Sequence, residues 1–215
     1  MIKKTKNVAK KLSKKTITTV KKKVTTIRAK SKTNTLTFEQ AIKKNNIVLV
    51  ELPTKDYMKQ AIIKLKTLVN TGYTGVYISF QRPIDNLLKI LKKEDIDTKK
   101  LVFVDVASSM CGGISKNAVQ CIPLAPNVDM DDLIRVTYLA LDKLKEKKRF
   151  IFIDSLTTIA LHKPLSDIMR YSEFLMTTVK KDEQQVLLVL FVAADLRQKR
   201  FIKDIALRVD EVVHV

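Results

Sequence analysis

From residue 38 onward, short runs of branched and aromatic residues alternate with longer stretches whose apolar residues recur every three or four positions. No other feature restricts the fold of this chain so strongly. The runs at Ile47–Leu52 (IVLVEL), 75–80 (GVYISF), 101–107 (LVFVDVA), 150–154 (FIFID) and 186–193 (VLLVLFVA) read as buried strands, with weaker runs at 119–122 and 212–215. Between the first two runs, Met58, Ala61, Ile62, Leu65, Leu68 and Val69 share one helical face, and Gly72 stops that helix. Ile84, Leu87, Leu88 and Leu91 follow Pro83, which suits a first helical position. Asp129 can cap a third helix, with Asp131 and Asp132 in its first turn and Lys145, Lys147, Lys148 and Arg149 closing it, as the helix dipole favours. Pro164 opens a fourth, with Leu165, Ile168, Ser172, Leu175 and Val179 along one face, and a last helix lies near 201–208. Apolar strands alternating with helices predict a three-layer α/β fold, with a mostly parallel sheet covered on both faces. In such a sheet, ligands sit beyond the carboxyl ends of the strands. The residues just after each strand are therefore the candidates for function.

Charge divides the chain in two. The net charge is +19, yet residues 1–37 hold 13 Lys/Arg and no acid, while all 22 Asp/Glu lie in 38–215. We therefore expect a basic tail over 1–37 and one folded domain over 38–215. The tail carries Lys3, Lys4, Lys6, Lys10, Lys11, Lys14, Lys15, Lys21, Lys22, Lys23, Arg28, Lys30 and Lys32. With so few bulky apolar residues it is expected to be disordered. Ile17, Val20, Val24 and Ile27 have the spacing of one helix face, so a conditional amphipathic helix is the alternative. Such a tail is suited to neutralising the phosphates of nucleic acid or another polyanion, without reading sequence. An anionic membrane surface or a docking partner is the other reading. Phe38 is the first aromatic residue, so base stacking by the tail is not suggested.

Cys111 and Cys121 are the only cysteines, and His162 and His214 the only histidines, so neither a disulfide framework nor a zinc site is encoded. The longest apolar run, 186–194, is too short to span a membrane, and the N-terminus has no secretory apolar segment. A cytoplasmic location is the default expectation.

The first strand leads into Leu52-Pro53-Thr54-Lys55-Asp56. A phosphate loop at this place needs glycines, so that backbone N–H groups can turn inward, and Lys followed by Ser/Thr at the helix start. No glycine is present, and Pro53 removes one donor. Thr54 and Lys55 could form a relic phosphate site. An ordinary turn, with Thr54 as cap and Asp56 favouring the dipole, fits better. After the second strand come Gln81 and Arg82, neither of them a base that could activate water. Asp154 and Ser155 follow four apolar residues, the pattern of an Mg²⁺-side strand. The structural alternative has Asp154 bonding backbone donors or Thr54, Thr157 and Thr158. Asp195, Arg197, Lys199 and Arg200 follow the most apolar strand. With Lys55 and Arg82 they could form a basic patch, or simply a solvated helix start. Cys111-Gly112-Gly113 has no acid or base placed near it in sequence.

Taken in order, these strand ends resemble the RecA superfamily and, within it, the KaiC-like domains common in archaea; the resemblance covers roughly 38–215. It implies that LPTKDYMKQ replaces the phosphate loop, that Gln81-Arg82 stands where a water-activating glutamate pair would be, and that Asp154 and Ser155 keep the Mg²⁺-side positions. The implied protein is a pseudo-ATPase: fold kept, hydrolytic machinery lost, with a degenerate nucleotide site at Thr54, Lys55, Asp56, Gln81, Arg82, Asp154 and Ser155. No cofactor is expected. ATP with Mg²⁺ belongs to the alternative reading, a divergent ATPase.

Overall fold

The computed structural model describes residues 36–110, 120–122, 124, 128–181 and 186–215. The tail residues up to Thr35 and the Cys111-Gly112-Gly113 segment lie outside the described residues. The folded unit starts at Leu36. Thr37 caps the first helix, α1 (Phe38–Lys44): its hydroxyl accepts the Gln40 N–H at 3.3 Å, and the Gln40 side chain accepts the Thr37 N–H at 3.0 Å.

The chain then runs through β1 (Ile47–Leu52), a 3₁₀ turn (Thr54–Asp56), α2 (Tyr57–Asn70), β2 (Thr74–Ser79), α3 (Ile84–Lys93), a second 3₁₀ turn (Thr98–Lys100), β3 (Leu101–Asp105), α4 (Val106–Met110) and β4 (Cys121–Ile122). It continues with α5 (Met130–Asp142), β5 (Arg149–Asp154), α6 (Leu156–Ile159), α7 (Leu165–Lys181), β6 (Leu187–Ala193), a third 3₁₀ turn (Ala194–Leu196), α8 (Arg200–Ala206) and β7 (Glu211–His214).

The seven strands form one sheet in the order β4-β3-β2-β5-β6-β1-β7, with every adjacent pair parallel. From β1 through β2 and β3 the chain winds toward the β4 edge, with α1, α2 and α3 on one face. From β5 through β6 to β7 it winds the other way, with α5, α6, α7 and α8 on the opposite face. Right-handed crossovers require this change of face when the direction of winding reverses. Both faces are covered, so the central strands are mostly apolar instead of alternating with polar residues. The reversal also separates β1 from β2 by β5 and β6, and a crevice beyond the carboxyl ends of these four strands is the expected ligand position.

Two glycines serve the backbone here. Gly72 ends α2 in the left-handed region, at φ +87°. Gly75 leaves room for the Phe150 ring, because a Cβ there would stand 2.4 Å from it.

Several expected boundaries shift. β3 stops at Asp105, and residues 106 and 107 open α4, because the Asp105 carboxylate accepts both the N–H and the hydroxyl of Ser108. Pro83 is the residue just before α3, not inside it. Helix α5 begins at the Asp129 cap as expected but ends at Asp142, so Lys145, Lys147 and Lys148 lie in the following loop and Arg149 opens β5. There the Leu144 N–H bonds the Leu141 carbonyl and the Leu144 side chain turns inward, which ends the helix early. Leu165 is half exposed, so the buried stripe of α7 starts at Ile168.

Candidate functional site at the carboxyl edge of the sheet

Alternation along β5 places Phe152 and Asp154 on the face covered by α1, α2 and α3. Asp154 is only 1% exposed. Tyr77 of β2 points to the same face, its ring stacked on Phe152 at 4.9 Å between centroids, and its hydroxyl donates to Asp154 Oδ2 at 2.5 Å. Tyr57, the first residue of α2, brings a second buried phenol close to Asp154 and Ser155. Its hydroxyl lies close to both, near enough to influence the carboxylate, but is not aligned for a hydrogen bond. Tyr57 OH and Asp154 Oδ1 therefore both lack a hydrogen-bond partner among the described residues.

This setting fixes the charge states. Burial raises the Asp154 pKa above its ordinary value, and the Tyr77 and Tyr57 hydroxyls and the Arg82 charge pull it part of the way back. Both phenols are held well above the ordinary tyrosine value, first by burial and then by the charge of Asp154, so they stay protonated and available as donors.

The peptide between Asp154 and Ser155 is cis. Ser155 caps α6 by accepting the Thr158 N–H at 3.2 Å, and its hydroxyl also meets those of Thr157 at 2.8 Å and Thr158 at 3.0 Å. Gln81 Nε2 reaches the same hydroxyl at 3.4 Å. The Ser79 hydroxyl donates to the Arg82 carbonyl at 2.6 Å and closes the turn after β2. Gln81, Arg82, Asp154 and Ser155 thus come together, as their strand-end positions predict. Asp154 does not bond Thr54, Thr157 or Thr158: its carboxyl faces the α2 side, while Thr157 and Thr158 are held by Ser155.

The turn after β1 is built differently from the expected cap. The 3₁₀ turn delays the start of α2 to Tyr57, and neither helix start carries a side-chain cap. β1 and β6 are adjacent, with Leu52 level with Ala193, so the Thr54 hydroxyl donates to Asp195 Oδ2 at 2.6 Å. Lys55 and Asp56 are exposed on the turn. Arg82, Arg197, Lys199 and Arg200 are exposed as well. Arg200 approaches Asp204 at 3.9 Å, and among the described residues Lys55, Arg82, Arg197 and Lys199 form no ion pair.

Sequence reasoning missed Tyr57, Tyr77 and Asp105. Asp105, 4% exposed, accepts the Ile84 N–H at 2.8 Å, the Ser108 N–H at 2.9 Å and the Ser108 hydroxyl at 2.6 Å. Tyr77 carried a readable signal: a phenol inside an otherwise apolar strand must find an acceptor when buried. Among the described residues no group of three or more His, Cys, Asp or Glu could hold a metal ion, and no helix is long and apolar enough to cross a membrane.

No protein-family model and no curated protein matches the sequence. Solved structures do match in shape. An uncharacterized protein of Pyrococcus horikoshii, solved in complex with an unknown peptide, superposes with a TM-score of 0.63 at 15% identity, over 83% of this chain and 84% of its own. A KaiC-like protein of Pyrococcus horikoshii OT3 superposes with a TM-score of 0.56 at 17% identity, over 79% of this chain and 70% of its own. The seven-stranded parallel sheet with helices on both faces is accordingly a RecA/KaiC-like fold.

Proposed function

We propose that this chain is a RecA/KaiC-like domain with a binding or regulatory role that does not hydrolyse nucleotide, and that residues 1–37 contact nucleic acid or another polyanion. The burial of Tyr57 against Asp154 carries the first part. The phenol of Tyr57, the first residue of α2, is buried beside the strand-end carboxylate.

The surrounding residues do not fit ATP and Mg²⁺. The first glycine of the chain is Gly72, so the β1 turn has no position free to aim successive N–H groups at phosphates. The Thr54 hydroxyl is engaged by Asp195, and Asp195 and the exposed Asp56 add negative charge where phosphates would lie. Gln81 and Arg82 offer no carboxylate to position a water. One observation favours the alternative, a divergent nucleotide site using Lys55, Asp154 and Arg197 or Lys199: the Oδ1 atom of Asp154 is buried without a partner.

ATP turnover separates the two. Purified full chain should release phosphate from ATP and Mg²⁺ no faster than its Asp154→Ala variant. Turnover that the variant loses would establish the divergent ATPase instead.

The tail reading rests on its 13 Lys/Arg and absence of acids. Binding to duplex DNA should weaken steeply with salt, and removing residues 1–35 should cost about 100-fold or more at low salt. Equal binding by the truncated chain, or none by the full chain, would remove nucleic acid from the proposal. Co-sedimentation with anionic but not neutral vesicles would then favour a membrane surface. Since one protein of this fold was solved with a peptide, peptide ligands belong in the same screen.

A further inference from the structure

The opposite end of the sheet holds a concave site. A cavity of 310 Å³ opens between the start of β2, the 3₁₀ turn before β3, the residue before β4 and the segment leaving α5. Val102 and Leu144, both largely buried, form an apolar floor. Lys99, Lys143 and Lys145 reach it from two separate segments. Glu146 is the one carboxylate in the lining, and it already accepts the Thr74 hydroxyl at 3.3 Å. Among the described residues, none of the three ammonium groups has a carboxylate at ion-pair distance. Gln120 completes the rim in the left-handed region, at φ +66°, a conformation that residues with a side chain rarely hold without a local reason. Its carbonyl accepts the Phe103 N–H at 2.9 Å, which fixes it beside β3.

We infer that this cavity binds a small phosphate monoester. Three point charges against one engaged carboxylate suit a compact dianion with several oxygens. The Gln120 amide offers a neutral hydrogen bond, and the Val102–Leu144 floor takes a short organic body. The volume sits at the lower end of the usual range for small-molecule sites, about 300–1,000 Å³, which suits one small molecule and not a polymer. Thr74 starts the strand that Ser79 ends, so the cavity lies roughly 16 Å from the Asp154 cluster at the rise of a β-strand. Its fate is thereby independent of the nucleotide question.

The test uses full-length protein with labelled methyl groups, titrated with glycerol 3-phosphate at constant ionic strength. The Leu144 and Val102 methyl signals should shift saturably. A Lys99→Gln, Lys143→Gln, Lys145→Gln triple variant, with the tail intact, should bind at least tenfold more weakly. Unchanged methyl signals from Leu190 and Ile153 in the sheet core would show that the variant is folded. No saturable shift, an equal response in the triple variant, or a response to inorganic phosphate as strong as to the ester would overturn the assignment.

Discussion

Asp105 and Asp154 end neighbouring parts of the same sheet, level with Ser79 on either side of it. Both are buried, at 4% and 1% exposure. Their surroundings differ. Asp105 receives two backbone N–H groups and a hydroxyl, which together set the start of α3 and the first turn of α4. Asp154 receives one phenol and leaves its other oxygen unpartnered. A buried carboxylate is costly unless donors surround it. At Asp105 the donors are local backbone, so the residue organises the fold around it. At Asp154 the one donor is a side chain brought from another strand, and the compensation is incomplete.

Four substitutions can break this contrast. The largest effect should come from Asp105→Ala, which strands one buried and one partly buried N–H group at element starts and should cost about 3 kcal/mol. A urea titration showing less than about 1 kcal/mol would mean that Asp105 does not organise these turns. Next, Tyr77→Phe removes the one hydrogen bond to Asp154 and should cost about 1–2 kcal/mol by the same measurement. A cost near zero would show that Tyr77 is held by stacking on Phe152 alone.

The third concerns pH. Burial raises the folded pKa of Asp154 above the unfolded value of about 4. The stability this group contributes is therefore fully present below that value and is lost as pH rises through the folded pKa. Asp154→Asn removes the titration, so its stability relative to the parent should increase as pH rises from about 4 toward neutrality. A difference that stays flat or falls would show that the carboxylate is well compensated after all. The smallest effect belongs to Tyr57→Phe. The deleted hydroxyl is buried without a partner, so stability should stay the same or rise by up to about 1 kcal/mol. A loss like that of Tyr77→Phe would reveal a bond between Tyr57 and Asp154 in solution.

The layered architecture was readable because each central strand is a short branched-residue run followed by a clear helical period; the 186–193 run and the Asp129 cap fell almost where they were read. The capping box of α1 went unread, because Thr37 reads as the last residue of the basic tail. What else stayed hidden depended on contacts across the fold. Tyr77 and Asp154 are 77 positions apart, and only the pairing of β2 with β5 brings them face to face. Thr54 looked like a cap because its partner, Asp195, comes from the turn after β6, 141 positions away. The basic run after α5 looked like a helix end, because charge cannot show that Leu144 turns inward first.

The central proposal is that the carboxyl edge, where Tyr57 lies buried beside Asp154, does not serve as a nucleotide site. Calorimetry of the full chain with ATP, with and without Mg²⁺, beside the Asp154→Ala variant, tests it most directly. Any heat from the basic tail should be the same in both proteins and should not require Mg²⁺. Saturable, Mg²⁺-dependent binding that Asp154→Ala abolishes would contradict the account.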